Sequence, residues 1–149
     1  IKMKNNMLKS KLKVNSKIQE AIEINKPIVA LESTLISHGL PYPENINVAK
    51  ESIKAVEDSG SIAATIGIIN GEMIIGLDDN EIELLATSKN VEKVSLHNIA
   101  LSLFHKQNAA TTVATTINIA SKIGIKFFAT GGIGGVHLGS EDNIDISAD

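Results

Sequence analysis

Residues 62–77 read IAATIGIINGEMIIGL, two apolar runs separated by Asn70-Gly71. Both positions of this dipeptide tolerate a positive φ, which the two-residue turn of a β-hairpin requires. The stretch therefore predicts two antiparallel strands. Asp78 and Glu81 follow with the spacing of a capping box, which predicts that a helix begins directly after the hairpin.

The segments around the hairpin alternate between helical and strand patterns, and Gly and Pro separate them. The predicted elements are a helix over residues 9–26, a strand over 28–32, a loop over 33–45, a helix from about Asn45 with Gly60 at its end, a strand and turn in 92–98, helices in 98–107 and 111–124, and a strand over 125–130. The apolar residues expected on the buried side of the 111–124 helix are Val113, Ile117, Ala120 and Ile123. This order predicts an α/β fold, a mixed sheet with flanking helices. Because the strands are few and the last one leads into an open loop, the sheet is expected to be incomplete in this chain.

The composition of the 149 residues suits one globular domain, with 43% hydrophobic residues. The chain contains no cysteine, so disulfides and thiolate sites are excluded. All 14 of its Lys and Arg residues are lysines, so any phosphate must be bound by lysines, hydroxyls, backbone N–H groups or a metal. The apolar runs are too short to cross a bilayer, so no membrane partner is expected.

The charge is unevenly distributed. Residues 1–17 contain six lysines and no acid, whereas the rest of the chain has 8 lysines and 17 acids. Residues 1–15 are therefore predicted to be a basic, disordered head, and residues 16–149 the folded part. The alternatives for the head are a targeting remnant and an oligomer contact. The acidic body argues against a nucleic-acid partner.

A glycine-rich turn follows the last predicted strand, in FFATGGIGGVHLGSEDNIDISAD (127–149). Gly131, Gly132, Gly134 and Gly135 remove side chains from this turn, so its backbone N–H groups can approach an anion closely. A dinucleotide-binding fingerprint is a poorer fit because its third glycine is replaced by His137. The alternative without a ligand is that the glycines only permit a tight turn.

The same segment ends in clustered acids: Glu141, Asp142, Asp145 and Asp149. Their oxygens could bind a hard cation such as Mg²⁺ or Mn²⁺. For Glu141 and Asp142 a solvated acidic loop is the better interpretation. Asp145 differs because it lies between Ile144 and Ile146, where a carboxylate is more readily held in a fixed place.

Glu32 ends the apolar run IVAL at the end of a predicted strand. A carboxyl in such a place can have a raised pKa and act as a general acid. The alternative is a strand-end carboxylate satisfied by backbone N–H groups. Lys93, in EKVS, is by this reasoning alone an ordinary surface lysine, and the four histidines show no metal-ligand spacing.

Taken together, ALESTLISHGLPYPEN, ATIGIINGEMIIGL, KVS, ATTVATT and FATGGIGGVHLGSEDNIDISAD resemble the pseudouridine-5′-phosphate glycosidase family, from about residue 16 to the last residue. The resemblance implies reversible cleavage of the C–C bond of pseudouridine 5′-phosphate to uracil and ribose 5-phosphate, with one divalent cation per subunit, typically Mn²⁺. It further implies a homo-oligomer, and residues 16–149 as the amino-terminal part of a single glycosidase domain. Separately, no signal-peptide pattern is present in the sequence, which favours a cytoplasmic location.

The resemblance also assigns roles to individual residues. It implies that Glu32 is the proton donor and that Asp145 binds the metal. The residues implied to contact substrate are Lys93, Val113, Ser147, Ala148 and Asp149. The position of the glycine turn adds Thr130, Gly131 and Gly132 as a seat for the phosphate.

Three departures from the family pattern bear on activity. Leu96-His97-Asn98 follows KVS where basic residues are common, and Leu138 follows GGVH where an Arg is common. The lysine that forms an imine with the opened ribose lies downstream of DISAD in the family, so it is missing here. The isolated chain is therefore expected to be inactive, as one part of a longer or split enzyme. The alternatives are a non-catalytic remnant that binds sugar phosphate and metal, and a product that does not fold.

Overall fold

The computed structural model describes residues 11–138, 144–147 and 149, with the backbone alone at 137, 138, 144 and 145. The elements in chain order are β1 (Leu12–Val14), α1 (Ser16–Glu23), β2 (Ile28–Leu31), a π-helical turn (Leu35–Gly39), α2 (Glu44–Asp58), β3 (Ile62–Ile69), β4 (Glu72–Ile75), α3 (Asp79–Thr87), β5 (Glu92–Val94), α4 (Ile99–Phe104), β6 (Ala109–Thr111), α5 (Val113–Ser121), β7 (Phe127–Ala129), β8 (Val136–Leu138) and β9 (Ile144–Ile146). The predicted α/β class with a mixed sheet is confirmed. No helix in the described ranges is long and apolar enough to cross a membrane.

Seven strands form one sheet around β3, and β8 pairs with β9 in a separate antiparallel pair. β4 lies along one side of β3, and β1 pairs in parallel with β4. The other side of β3 is shared. Along that side, the first half of β3 pairs in parallel with β2, and β2 in turn pairs with β7. The second half of β3 pairs antiparallel with β6, and β6 pairs in parallel with β5.

The β2–β7 pair and the β5–β6 pair therefore run toward each other along the same side of β3. β2 and β7 run along β3 in one direction, whereas β5 and β6 run in the other. Leu31, the last residue of β2, lies opposite Thr65, and Ala110 of β6 lies opposite Gly67. The carboxyl ends of all four strands therefore meet beside the middle of β3, and we call the space between them the central gap.

Helices cover both faces of the sheet, and the side chains of the strands alternate between two apolar clusters. Ile18 of α1 and Ile119 of α5 belong to the first cluster. Ala49 of α2 and Ile82 of α3 belong to the second. Adjacent residues of β4 divide between the two, with Met73 in the first and Ile74 in the second. The core thus forms without aromatic side chains among its buried residues.

The hairpin and the capping box are confirmed. Asn70 and Gly71 have φ values of 49° and 72°. A Cβ at Gly71 would lie 2.7 Å from the Leu103 carbonyl oxygen, so this position needs glycine. Asp78 and Glu81 each accept a hydrogen bond from the other's backbone N–H at the start of α3.

The predicted helix over 9–26 is wrong in its first part. Leu12–Val14 is a strand, because its backbone pairs with β4. The helix begins at Ser16, after Asn15, whose side chain accepts a hydrogen bond from the Lys17 backbone N–H. The sheet therefore begins before residue 16, the predicted start of the folded part. Residues 1–10 of the predicted head lie outside the described residues.

Three further features differ from prediction. The π-helical turn lies in the predicted loop of 33–45. β6 was not predicted, because a strand of three residues leaves no periodic pattern. In α5, Ile117 is 47% exposed, whereas Ile119 is fully buried. The predicted apolar side of that helix is therefore wrong at one position.

Candidate functional site

Polar side chains follow all four strands that end at the central gap. Glu32 and Thr130 come directly after β2 and β7, whose last residues lie opposite each other. Ser95 and Thr112 come directly after β5 and β6, whose last residues are also opposite each other. The pairing register of the sheet therefore brings together residues that are up to 98 positions apart.

Glu32 is the acid of the central gap. It is partly buried, and the Thr130 hydroxyl donates a hydrogen bond to its Oε1. Burial is the largest influence on its pKa and raises it, because the charged form loses solvation. The Thr130 hydrogen bond lowers this pKa, the Asp149 charge raises it and the Lys93 charge lowers it, and the net direction is upward. Glu32 can therefore keep a proton, and donate it, at a higher pH than an ordinary glutamate.

The glycine turn lies next to this acid. The Gly132 N–H donates to the Thr130 hydroxyl at 3.2 Å, so the turn supports the residue that holds Glu32. Gly134 and Gly135 have φ values of 76° and 126°, which favour glycine. At Gly131 and Gly132 a Cβ would meet no atom within 4 Å. A tight turn therefore explains the second glycine pair, and the first pair has no steric reason within the described residues.

The end of the chain folds back onto the start of α5. Asp149 Oδ1 accepts a hydrogen bond from the Ala114 backbone N–H at 2.9 Å, and Ser147 Oγ donates to Asp149 Oδ2 at 2.9 Å. The Ser147 N–H is bound to the Gly135 carbonyl at 2.9 Å. These contacts place the Asp149 carboxylate close enough to Glu32 to raise its pKa.

Three further predicted site residues are Val113, Asp145 and Ala148. Val113 is the first residue of α5 and is buried, with 4% of its surface exposed. Asp145 lies in β9 with its backbone opposite His137 of β8, and its side chain lies outside the description. Ala148 also lies outside the described residues. The roles of all these residues stay predictions.

A second group of polar residues lies around Lys93, in a cleft of about 240 Å³ that we call the Lys93 cleft. Its lining residues are Lys93, Ser95, His97, Asn98, Thr112, Ile146 and Ser147. The sequence reasoning found only Lys93 and Ser147 of these. Ser95 and Thr112 directly follow the short strands β5 and β6, and a polar residue in that position can indicate a site. This pattern was not visible at Thr112 because β6 had not been recognised as a strand.

The turn after β5 shapes this cleft. The Ser95 N–H donates to Asn98 Oδ1 at 2.8 Å, and Asn98 Nδ2 donates to the Lys93 carbonyl at 3.1 Å. Both ends of the Asn98 amide are thus used to fix the backbone. Ser95 Oγ lies 2.5 Å from His97 Nδ1, so the imidazole is held as well.

Buried hydroxyls join the two halves of the central gap. Ser33 Oγ accepts a hydrogen bond from the Thr111 N–H at 2.9 Å, and Thr34 Oγ1 donates to the Thr111 carbonyl at 2.8 Å. Thr111 Oγ1 donates to the Ile66 carbonyl of β3 at 2.8 Å. Since Ser33 follows Glu32 directly, these bonds set the distance between the acid and the start of α5.

Glu32 itself lines a less polar cleft of about 340 Å³. Glu32, Thr130 and Gly131 contribute its polar edge, and aliphatic side chains of the π-helical turn and α2 form much of the rest. Glu32 therefore borders a largely apolar cleft, and the charges of both Asp149 and Lys93 act on it. The described residues include no group of three or more His, Asp or Glu side chains that could hold a metal.

The chain resembles known proteins in both sequence and fold. A family model described as "Indigoidine synthase A like protein" matches residues 17–149. Among curated proteins, the pseudouridine-5′-phosphate glycosidase of Staphylococcus aureus is 51% identical over 142 residues, covering 95% of this chain and 46% of that protein. The protein of the same name from Petrotoga mobilis is 50% identical over 138 residues, covering 93% of this chain and 45% of that protein.

Two solved structures share the fold. The prealnumycin C-glycosynthase AlnA, solved in complex with ribulose 5-phosphate, matches with a TM-score of 0.77 and 43% identity, covering 93% of this chain and 44% of that one. An indigoidine synthase A-like protein from Thermotoga maritima matches with a TM-score of 0.74 and 34% identity, covering 91% of this chain and 43% of that one. The chain spans about half the length of the relatives it matches. By its family match and these identities, the chain belongs to the indigoidine synthase A-like family, which includes proteins named pseudouridine-5′-phosphate glycosidase, and corresponds to their amino-terminal half.

Proposed function

We propose that this chain is the amino-terminal part of an enzyme that reversibly cleaves the C–C glycosidic bond of pseudouridine 5′-phosphate with one water molecule, giving uracil and ribose 5-phosphate. Identity of about half to proteins named for this activity supports the substrate. A relative solved with ribulose 5-phosphate supports a sugar-phosphate ligand. The structural observation that carries the proposal is Glu32, an acid with a raised pKa within reach of the charges of Lys93 and Asp149.

In this proposal Glu32 donates a proton to the substrate during cleavage. Burial keeps its carboxyl protonated to a higher pH, and Thr130 fixes the orientation of one carboxyl oxygen. The proposed substrate contacts are Lys93, Val113, Ser147, Ala148 and Asp149, together with Thr130, Gly131 and Gly132.

The chemistry also requires an electron sink, because a C–C glycosidic bond has a poor leaving group. An imine between the opened ribose and a lysine supplies one. We place this lysine outside the present chain, in the part of the enzyme that corresponds to the other half of the relatives. The isolated chain would then bind without turnover.

A divalent cation, Mn²⁺ or another, is proposed at Asp145. A site with a single protein carboxylate suits such ions, which commonly take water and phosphate oxygens as their other ligands. The cation would supply positive charge against the substrate's phosphate and oxygens.

The test is uracil release from pseudouridine 5′-phosphate by the complete protein with Mn²⁺, compared with a Glu32→Gln variant. We expect the variant to lose about 10²- to 10⁴-fold in kcat while it still binds ribose 5-phosphate. Glu83→Gln, at an exposed position of α3, is the matched control and should behave as the parent. An absence of uracil release by the parent protein would contradict the proposal. Binding of ribose 5-phosphate without turnover, and without an imine that borohydride can trap, would instead indicate a non-catalytic binding protein.

The homo-oligomer, the cytoplasmic location and the absence of a nucleic-acid partner stay predictions. They are open to sedimentation, fractionation and nucleic-acid binding measurements on the same complete protein.

A further inference from the structure

We propose that Thr116 is a positioning residue of the site: its buried hydroxyl holds the first turn of α5, and with it the Asp149 carboxylate, at a fixed place relative to Glu32. The role of Glu32 as the acid, for which this positioning matters, rests on the proposed function. The inference adds a residue that acts on the acid only through others, by way of Thr111 and Ser33.

The hydrogen bonds of Thr111 determine what the Thr116 hydroxyl does. Thr111 Oγ1 lies 2.8 Å from the Ile66 carbonyl of β3, and it must be the donor there because a carbonyl oxygen only accepts. Its proton is therefore used, so it accepts at the 2.9 Å contact with Thr116 Oγ1. The other acceptor near Thr116 Oγ1 is the Thr111 carbonyl, at 3.4 Å. With either oxygen, Thr116 donates to the last residue of β6.

Both hydroxyls are enclosed by protein. Thr111 and Thr116 are each 0% exposed. A buried hydroxyl costs free energy unless it is hydrogen-bonded, and the bonds of this pair are met in one arrangement of strand and helix. The two threonines therefore fix how α5 lies on β6, which a pair of valines would leave to packing alone.

Thr111 carries the contact on to the segment that bears the acid. Its backbone N–H donates to Ser33 Oγ at 2.9 Å, and its carbonyl accepts from Thr34 Oγ1 at 2.8 Å. Ser33 is fully buried and follows Glu32 directly. A hydrogen-bonded path of buried residues thus runs from Thr116 through Thr111 to the neighbour of the acid.

The first turn of α5 also holds Asp149. Thr112, the residue before the helix, makes no capping hydrogen bond with its side chain among the described residues. Asp149 takes that place, since its Oδ1 accepts from the Ala114 N–H at 2.9 Å. The helix dipole further favours a carboxylate at this end. Because Ala114 and Thr116 lie in the same turn, the place of Asp149 depends on the bond that Thr116 makes.

The separation of Asp149 and Glu32 matters for the acid. Burial is the largest influence on the pKa of Glu32 and raises it, the Thr130 hydrogen bond lowers it, the Asp149 charge raises it and the Lys93 charge lowers it. The interaction of two charges weakens as they move apart. A first turn of α5 that could shift would therefore reduce the influence of Asp149. By fixing that turn, Thr116 helps Glu32 to keep its proton.

The experiment follows the Glu32 carboxyl by NMR titration in the complete protein. We expect Thr116→Val, which removes the donor, to lower the pKa of Glu32 because Asp149 is then held less closely. Thr116→Ser retains the hydroxyl and should titrate as the parent. Thr115→Val is the matched control, because Thr115 is an equally buried residue of α5 whose hydroxyl lies 3.3 Å from that of Thr112. This control should leave the Glu32 titration unchanged.

A double variant separates positioning from a general disturbance of the fold. In Asp149→Asn the charge is absent, so adding Thr116→Val should shift the Glu32 titration no further. An equal shift in both backgrounds would overturn the inference, and so would a titration of Thr116→Val that equals the parent's. If Thr116→Val does not fold, Thr116→Ala replaces it in the same comparison, because it places no methyl group against the Thr111 oxygen.

The titration requires no turnover, so failure of this inference is distinguishable from failure of the proposed function. If the parent releases uracil and Thr116→Val titrates as the parent does, the positioning role is wrong and the function stands. If Thr116→Val lowers the Glu32 pKa only when Asp149 is present, but the parent releases no uracil, the positioning role stands and the function is wrong.

Discussion

Thr130 donates its hydroxyl to the carboxylate of Glu32, although 98 residues separate them in the chain. The contact exists because β2 and β7 are parallel neighbours that end in register, with Leu31 opposite Ala129. The hydrogen bond lowers the pKa of Glu32 while burial raises it. Thr130 therefore limits how strongly the acid holds its proton.

Thr130→Val should raise the pKa of Glu32 further, because the hydrogen bond to the charged form is lost. The acid form would then persist to higher pH, and the alkaline limb of the kcat profile should move upward. NMR titration of the Glu32 side-chain carboxyl measures the change without requiring turnover. Thr87→Val is the control, since its exposed hydroxyl bonds only the Glu83 carbonyl. A Glu32 pKa that falls in Thr130→Val would refute this account.

Asp149→Asn should move the same titration in the opposite direction. The Asp149 charge raises the pKa of Glu32, and the amide removes that charge. Asn can keep an oxygen acceptor for the Ala114 N–H, so the fold-back onto α5 should survive. Asp58→Asn, an exposed acid at the end of α2, controls for loss of a distant charge. An unchanged Glu32 titration would mean that Asp149 does not act on it in solution.

Glu32→Gln should stabilise the protein at neutral pH. A carboxyl whose pKa is raised on folding contributes stability that is present below its unfolded value, 4.5, and lost as pH rises through the folded value. The amide has no such loss. The free energy of unfolding, measured with urea, should therefore be higher in the variant at neutral pH and converge with the parent below pH 4.5. A variant less stable than the parent at neutral pH would show that the ionised carboxylate is favoured in the folded state.

Ser33→Ala should destabilise the fold by about 1 to 3 kcal/mol, because it leaves the buried N–H of Thr111 without its acceptor. The change is small in volume, so the loss reports the hydrogen bond more than packing. Urea unfolding measures it. Ser121→Ala, on the exposed side of α5, is the control and should be nearly neutral. A loss no greater than that of the control would mean that water or another group replaces the serine oxygen.

The features that sequence predicted well depend on neighbours in the chain. The Asn70-Gly71 turn and the Asp78–Glu81 capping box each involve only a few consecutive residues, so their chemistry is visible in the sequence. Leu12–Val14 was misassigned because its strand exists only through pairing with β4, about 60 positions away. Apolar residues of a three-residue strand fit a helical pattern equally well.

The candidate site was predictable where a strand could be recognised. Glu32 was found because it ends a strong apolar run, and its raised pKa agrees with the prediction made from that position. Ser95, His97 and Thr112 were missed because they depend on β5 and β6 ending together, a register that the sequence does not show. Thr130 was predicted as a phosphate contact, and its hydrogen bond to Glu32 could not be foreseen without that register.

The central gap also has a consequence for the order of folding. Its hydrogen bonds close long segments: 98 residues between Glu32 and Thr130, 78 between Ser33 and Thr111, and 35 between Ala114 and Asp149. The hairpin at Asn70-Gly71 closes a turn of two residues, which costs far less entropy. In pulse-labelling hydrogen exchange, amides of β3 and β4 should therefore become protected before those of Ala114 and Thr111. A folding intermediate between these stages would contain the β3–β4 hairpin but would lack the contact that positions Glu32.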